Sequence, residues 1–185
     1  MNLLEQKLSR EDIFKGRIID VKLDTVLLPN GKEATREVIL HPGGVCIVPI
    51  TEKGDIVMVR QFRYPYNQVL LEIPAGKLEY GEDPFECGKR ELLEEIGAVA
   101  ESYTSLGKLY PTPAYDSETI HIYMAENLTF SEQNLDEDEF LEVLTVPFDK
   151  AVEMIMNGEI SDAKTQIGIL KANLLRRGVG DTQTF

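Results

Sequence analysis

Between Asp83 and Gly97 the chain reads DPFECGKRELLEEIG, and this stretch constrains the fold more than any other. Asp83 is a helix N-cap, Pro84 takes the first helical position, Glu86 completes a capping box, and Gly97 stands where the helix must stop. Leu92, Leu93 and Ile96 recur at helical spacing, so one side of the helix is to be buried. At roughly 100° per residue, Glu91, Glu94 and Glu95 crowd into a different sector. Like charges at i,i+4 cost an isolated helix roughly 0.2–0.5 kcal/mol. Any fold that keeps this helix has to supply something that compensates the carboxylates.

The surroundings of the helix are strand-rich. RIIDVKLDTVLL (Arg17–Leu28) alternates, with Ile19, Val21, Leu23 and Leu27 on one face, and REVIL (Arg36–Leu40) returns after the turn Pro29-Asn30-Gly31. His41-Pro42-Gly43-Gly44 marks a boundary. A second hairpin is expected from VCIVPI (Val45–Ile50) and IVMVRQFRY (Ile56–Tyr64), followed by a strand VLLEI (Val69–Ile73) that ends at Pro74-Ala75-Gly76. Further strands fall near Tyr103–Leu109, Thr119–Ala125 and Phe140–Val146, and two helices near Asp149–Asn157 and Ser161–Arg176. The expectation is an α+β chain: a small N-terminal antiparallel β unit over residues 1–42, a main domain over 43–177, and a tail over 178–185 without packing signal. A lone hairpin is marginal in water, so the leading unit has to pack on something.

With 185 residues the chain can bury a substantial core. The formal charge of −13 argues against nucleic acid or an anionic membrane as partner, and suits metal cations or an anionic ligand that brings a metal with it. No apolar run reaches membrane-spanning length, and MNLLEQKLSRED lacks the apolar core of a signal peptide. Cys46 and Cys87 form no metal spacing and no disulfide framework, so a reducing cytoplasm is the expected setting.

From Gly76 the chain reads GKLEYGEDPFECGKRELLEEIGA: Gly76, Glu82, Arg90-Glu91-Leu92, Glu94-Glu95 and Gly97 stand at fixed separations. Glu91 and Glu95 lie one helical turn apart, so their carboxylates can converge on one hard cation. Held about 4 Å apart they repel by roughly 4 kcal/mol at an effective dielectric of 20. Bound Mg²⁺, which takes oxygen ligands and is commonly held by one or two carboxylates plus substrate phosphates, turns that repulsion into attraction. Arg90 can pair with Glu94 at i,i+4 and keep the array in register, Glu82 approaches from the loop, and the Pro74-Ala75-Gly76 turn can offer a carbonyl. The ordinary alternative is a solvated acidic face. It leaves Gly76 and Glu82 unexplained. The acidic run Asp136–Glu139 is no EF-hand, since it lacks the glycine and the spaced ligands of that loop.

These residues resemble the Nudix hydrolase signature, G-x5-E-x7-R-E-U-x-E-E-x-G-U with U aliphatic, at every position but the last, where Ala98 stands for a larger aliphatic residue. The resemblance implies the Nudix fold, an α/β/α sandwich with a mixed sheet. It implies hydrolysis of a nucleoside diphosphate linked to another group, and metal ligation by the Ala75 carbonyl, Glu91 and Glu95, with Glu82 and Glu94 in support. The flanks REVILHPGGV, VRQFRYP, LEIPAGKLEYGE, YPTPAYDSE, LDEDEFLEV and ISDAKT are similar to the ADP-ribose pyrophosphatase branch, so the resemblance runs from about Leu8 to Arg177.

That branch implies further roles. Arg36 and Arg63 are expected to clamp the diphosphate, to which guanidinium is well shaped. Pro113 and Tyr115 are expected to shape the pocket for the terminal ribose or adenine, although Ala114 stands where the branch has glycine. The acidic run matches a loop that supplies the catalytic base; by position Glu137 is the base, and Glu139 a further metal ligand or an alternate base. A carboxylate beside Mg²⁺ can both deprotonate and align water. The resemblance also implies roughly two or three Mg²⁺ ions per site, with Mn²⁺ able to substitute, and a homodimer through the N-terminal unit. The implied reaction is hydrolysis of ADP-ribose to AMP and ribose 5-phosphate. The alternatives are GDP-mannose or another nucleoside diphosphate sugar as substrate, or a binding module that senses ADP-ribose without cleaving it.

Overall fold

The structure, a computed structural model, describes residues 2–135 and 139–179. The chain divides into two units, Met1–Gly43 with Tyr110–Thr119, and Gly44–Leu109 with Ile120–Phe185.

The first unit is an antiparallel sheet in which β2 (Asp20–Leu27) lies between β1 (Gln6–Lys15) and β3 (Glu33–Leu40). β1 was not expected, because QKLSREDIFK carries no alternation of apolar and polar residues; all ten of its residues are exposed. Pairing with β2 holds it, through two bulged registers and the ion pairs Arg10–Asp24 at 2.6 Å and Lys22–Asp12 at 2.8 Å. Those pairs also invert the expected faces of β2. Lys22, Asp24 and Val26 are its buried residues, covered by the long side chains of β1, while Val21, Leu23 and Leu27 are only half-buried. The segment 110–119 joins the same unit: Ile39 N donates to the Tyr115 carbonyl at 2.7 Å, Ser117 N to the Ile39 carbonyl at 3.0 Å, and His41 N to Ser117 Oγ at 3.0 Å.

The second unit holds two sheets and three helices. β4 (Gly44–Pro49) is interior to a four-stranded mixed sheet, antiparallel to β7 (Ala75–Lys77) and parallel to β9 (Ile120–Phe130), with β8 (Ala98–Leu109) beyond. β5 (Ile56–Arg63) lies between β6 (Gln68–Glu72) and β10 (Leu141–Val146) in a three-stranded antiparallel sheet. The expected hairpin of β4 with β5 therefore does not form; one bridge, Ile50 to Ile56, is where the chain turns from one sheet into the other. The reason is burial. Every residue of β4 is buried, as suits a strand flanked on both edges and covered on both faces.

Alternation along these strands sets the layers. Cys46, Val48, Ile56 and Met58 pack with Phe148, Ala151 and Ile155 of α2 (Phe148–Met156) and Ile169 and Ala172 of α3 (Ala163–Arg176). Val45, Ile47, Val57 and Val59 pack instead with Cys87, Leu92 and Ile96 of α1 (Pro84–Ile96). The unit is thus helix, sheet, helix. Each fully buried Ile or Leu contributes roughly 1.5–3 kcal/mol.

The ends of α1 follow local chemistry. The Asp83 carboxylate accepts from Phe85 N and Glu86 N, and Gly97 adopts φ 63°. Glu86 does not close the expected box; its carboxylate takes Lys89 at 2.9 Å. β8 starts at Ala98, earlier than expected, and Ala98 is fully buried.

Candidate active site

The carboxylates of α1 are assembled against the turn that leads into β7. Glu91 and Glu95 are 7 % and 3 % exposed. Ala75 N donates to Glu95 Oε2 at 3.0 Å, which ties the turn to the helix. Glu91 lies over Gly76 so closely that a Cβ there would fall 1.8 Å from its Cδ. This explains why glycine occupies that position. Its backbone is ordinary, and what it provides is space for a carboxylate.

Arg90 holds the cluster together. Its Nη1 reaches Glu91 and Glu94, each at 2.8 Å, while Nε and Nη2 donate to Glu82 at 3.0 and 3.2 Å. Arg90 Nη2 also donates to Cys87 Sγ at 3.2 Å. Glu82 also accepts from Glu79 N at 2.8 Å, and with Arg90 foremost its carboxyl is lowered to about 2. The inner pair behaves oppositely. Burial pushes Glu91 up to about 7 and Glu95 up to about 8, and the charges of neighbouring carboxylates, Glu139 included, push the same way.

A cation fits this donor set. All the groups are hard oxygens, Glu91 and Glu95 are buried, and the Arg90 that bonds Glu91 is shared with Glu82 and Glu94. Among the described residues no three acidic, histidine or cysteine side chains close into a ready-made cage. Glu91, Glu95 and the adjoining turn instead make a partial site of the kind Mg²⁺ occupies together with water and phosphate oxygens.

Of the other expected residues, Glu139 is brought within electrostatic reach of Glu91 and Glu95. Glu137 lies outside the described residues. Arg63, at the end of β5, is held by Glu72 through two bonds of 2.7 Å and also feels the charge of Glu95. Arg36, Pro113 and Tyr115 belong to the first unit. There Arg36 pairs with Glu5 at 2.6 Å, and Tyr115 is 51 % exposed.

The sequence reading missed a group behind Arg63. Glu72 is 1 % exposed and is bonded by both Arg63 and Lys164, and Lys164 reaches Asp162 at 3.0 Å. Burial raises the Glu72 carboxyl, but the two cations outweigh it and leave it below its ordinary value. The available signal was a glutamate inside the apolar strand VLLEI.

Comparison with known proteins agrees with this geometry. The NUDIX domain family matches residues 40–165, which include every carboxylate described above except those of the first unit. The chain belongs to the Nudix family. The Nudix match is preceded by a nucleoside diphosphate sugar hydrolase N-terminal domain over residues 5–39. An ADP-ribose pyrophosphatase of Bacillus subtilis (strain 168) is 43 % identical over 91 % of this chain and 93 % of its own. A methanol dehydrogenase activator of Bacillus methanolicus is 41 % identical over 89 % of this chain and 90 % of its own. A crystal structure of an ADP compounds hydrolase superposes with a TM-score of 0.83 at 24 % identity, covering 96 % of this chain and 98 % of that one, and so shares the Nudix fold.

Proposed function

We propose that this Nudix protein is a Mg²⁺-dependent ADP-ribose pyrophosphatase that cleaves its substrate with water into AMP and ribose 5-phosphate. The observation that carries the reading is the buried pair Glu91 and Glu95, gathered at Gly76 and Ala75 and braced by Arg90. The 43 % identity to an ADP-ribose pyrophosphatase along nearly the whole chain supports the choice of substrate.

In this reading Glu91, Glu95 and the Ala75 carbonyl hold the metal, with Glu82 and Glu139 as further oxygen donors. About two or three bound Mg²⁺ ions, replaceable by Mn²⁺, supply charge neutralisation at the diphosphate and an acidified water. Arg90 and Glu94 keep Glu91 aligned. Arg63 and Arg36 bind phosphate, Pro113 and Tyr115 shape the terminal pocket, and Glu137, or Glu139 in its place, removes the proton from the attacking water. The N-terminal unit, 1–42, serves as a homodimer interface, and the domain over 43–177 as the hydrolase. The half-buried Val21, Leu23 and Leu27, with Leu8, Ile13 and Phe14 exposed on β1, support that role. The protein works in the cytoplasm, where free thiols such as Cys46 and Cys87 persist.

A substrate panel of ADP-ribose, GDP-mannose and NADH, with products separated by chromatography, tests the reading. AMP and ribose 5-phosphate from ADP-ribose at the highest kcat/KM are expected. A large preference for GDP-mannose moves the chain to another branch, and binding without AMP release makes it a sensor. Glu95→Gln is expected to lower kcat by about 10² or more with the fold retained; near-wild-type turnover would contradict the metal assignment. The 41 % identity to a methanol dehydrogenase activator favours a second reading, action upon a methanol dehydrogenase. Raising that enzyme's rate on addition of this chain tests it.

A further inference from the structure

Behind Arg63 lies a charge arrangement that the metal site does not use. Glu72 ends β6 with its carboxylate almost wholly out of water, and two cations share it. Arg63 takes both oxygens, Nε to Oε1 and Nη2 to Oε2, at 2.7 Å each. Lys164 takes Oε2 as well and also pairs with Asp162 at 3.0 Å. Asp162 is fixed in turn. It caps α3 by accepting from Thr165 N at 2.9 Å and Thr165 Oγ1 at 2.6 Å, and Thr165 Oγ1 accepts from Ile73 N at 3.0 Å. The first turn of α3 is thereby stitched to Ile73, the residue that follows Glu72.

The two cations are not equivalent. The Arg63 side chain is 38 % exposed and that of Lys164 is 12 %. Arg63 also feels the charge of Glu95, whereas Lys164 is enclosed between Glu72 and Asp162. A buried carboxylate with a single counter-charge cannot release it, because an uncompensated buried charge costs far more than the pair gains. With a second, enclosed cation already in place, the outer one is free to exchange partners.

We propose that Lys164 is a positioning residue: by standing as the permanent counter-ion of Glu72, it lets Arg63 exchange that carboxylate for a phosphate of the substrate. Glu72 parks Arg63 within electrostatic reach of Glu95, and Lys164 sets how readily it is released. This rests on the reading that the site takes a nucleoside diphosphate.

The test compares full-length wild type, Lys164→Met, Lys164→Arg and the double variant Lys164→Met/Glu72→Gln. KM and kcat are measured on whichever nucleoside diphosphate compound the wild type cleaves, and thermal unfolding is followed for each. Lys164→Met is expected to raise KM by about tenfold or more with kcat nearly unchanged, the pattern of lost uniform binding. Lys164→Arg, which keeps the charge, stays near wild type. The double variant recovers most of the lost KM, since a neutral glutamine no longer competes with phosphate for Arg63. A purely structural role for Lys164 predicts the reverse, with the second substitution adding to the damage of the first. An unchanged KM in folded Lys164→Met, or a double variant worse than the single, overturns the proposal. If Lys164→Met does not fold, Lys164→Gln takes its place with the same two outcomes. Calorimetric binding of ADP-ribose in EDTA, across the same series, carries the comparison if the wild type binds without cleaving. A wild type that cleaves other compounds but not ADP-ribose rejects the substrate assignment and leaves this comparison intact. A wild type that neither binds nor cleaves any nucleoside diphosphate overturns both.

Discussion

Replacing Gly76 by alanine adds one methyl group at the point where α1 meets β7. The new Cβ would stand 1.8 Å from Glu91 Cδ and 1.9 Å from Oε1, where ordinary contact begins at 3.4 Å. The carboxylate therefore has to retreat by about 1.6 Å, well past the point at which dispersion turns into repulsion. A surface glutamate would do so freely. Glu91 is buried and bonded to Arg90 at 2.8 Å, so its displacement pulls on the arginine that also holds Glu82 and Glu94. A misplacement of about 1 Å at a reacting centre costs roughly 10²-fold in rate, or about 2.7 kcal/mol. Overpacking costs about 1–3 kcal/mol of stability, which lowers Tm by roughly 2–12 °C in a chain of this size. The expected outcome is a folded protein whose AMP release falls by about 10² or more and whose Mg²⁺ half-saturation point moves upward. Both are read from one titration of Mg²⁺ against product formed, with a thermal scan alongside. If kcat/KM stays within about threefold of wild type and the Mg²⁺ midpoint does not move, Glu91 is not held where the metal needs it and the reasoning is wrong.

Two further outcomes follow from the same geometry. Glu91 and Glu95 are raised from 4.5 to about 7 and about 8, chiefly by burial, so in the metal-free protein their contribution to stability is present in full below the unfolded value and is lost as pH rises through 7 and 8. Mg²⁺ requires both ionised, so the Tm gain from saturating Mg²⁺ should grow between about pH 5.5 and 8.5; a gain independent of pH would refute the pairing of cation and carboxylates. Gly97→Ala places a side chain at φ 63° with its Cβ 2.4 Å from the Ser131 carbonyl oxygen. The left-handed backbone alone costs about 1–2 kcal/mol, so Tm should fall by roughly 2–8 °C, measured by circular dichroism. An unchanged Tm would mean that α1 ends in some other way.

The parts of the molecule that were legible in the sequence are those decided by neighbouring residues. Asp83, Pro84 and Gly97 delimit α1 through bonds within a few residues of one another, and the glutamates of that helix inherit their positions from its pitch. Arg90 was readable as a partner of Glu94 for the same reason; its hold on Glu82 needed the folded loop. What could not be read was pairing at a distance. Apolar runs of similar length gave no hint that β4 and β5 enter different sheets, since a strand buried on both faces and the arm of a hairpin look alike. On β2 alternation located the strand and misjudged its faces, because ion pairs from β1 cover the polar side. Glu72 and Lys164 lie 92 residues apart, and neither announces the other.

The first unit is made from two separate stretches of chain, with 110–119 tied to Ile39 by backbone hydrogen bonds and to His41 through the Ser117 hydroxyl. Sequence families divide this protein near residue 40, yet a cut there would sever those bonds and leave the amides of Ser117 and the carbonyl of Tyr115 seeking other partners. The N-terminal segment is therefore poor material for recombination. A chimera that borrows it from a relative has to import the distant ten-residue stretch as well, and natural lineages that exchanged one without the other would have met the same obstacle. The two stretches should thus be inherited together, although Gly44–Leu109 of the other unit intervenes between them.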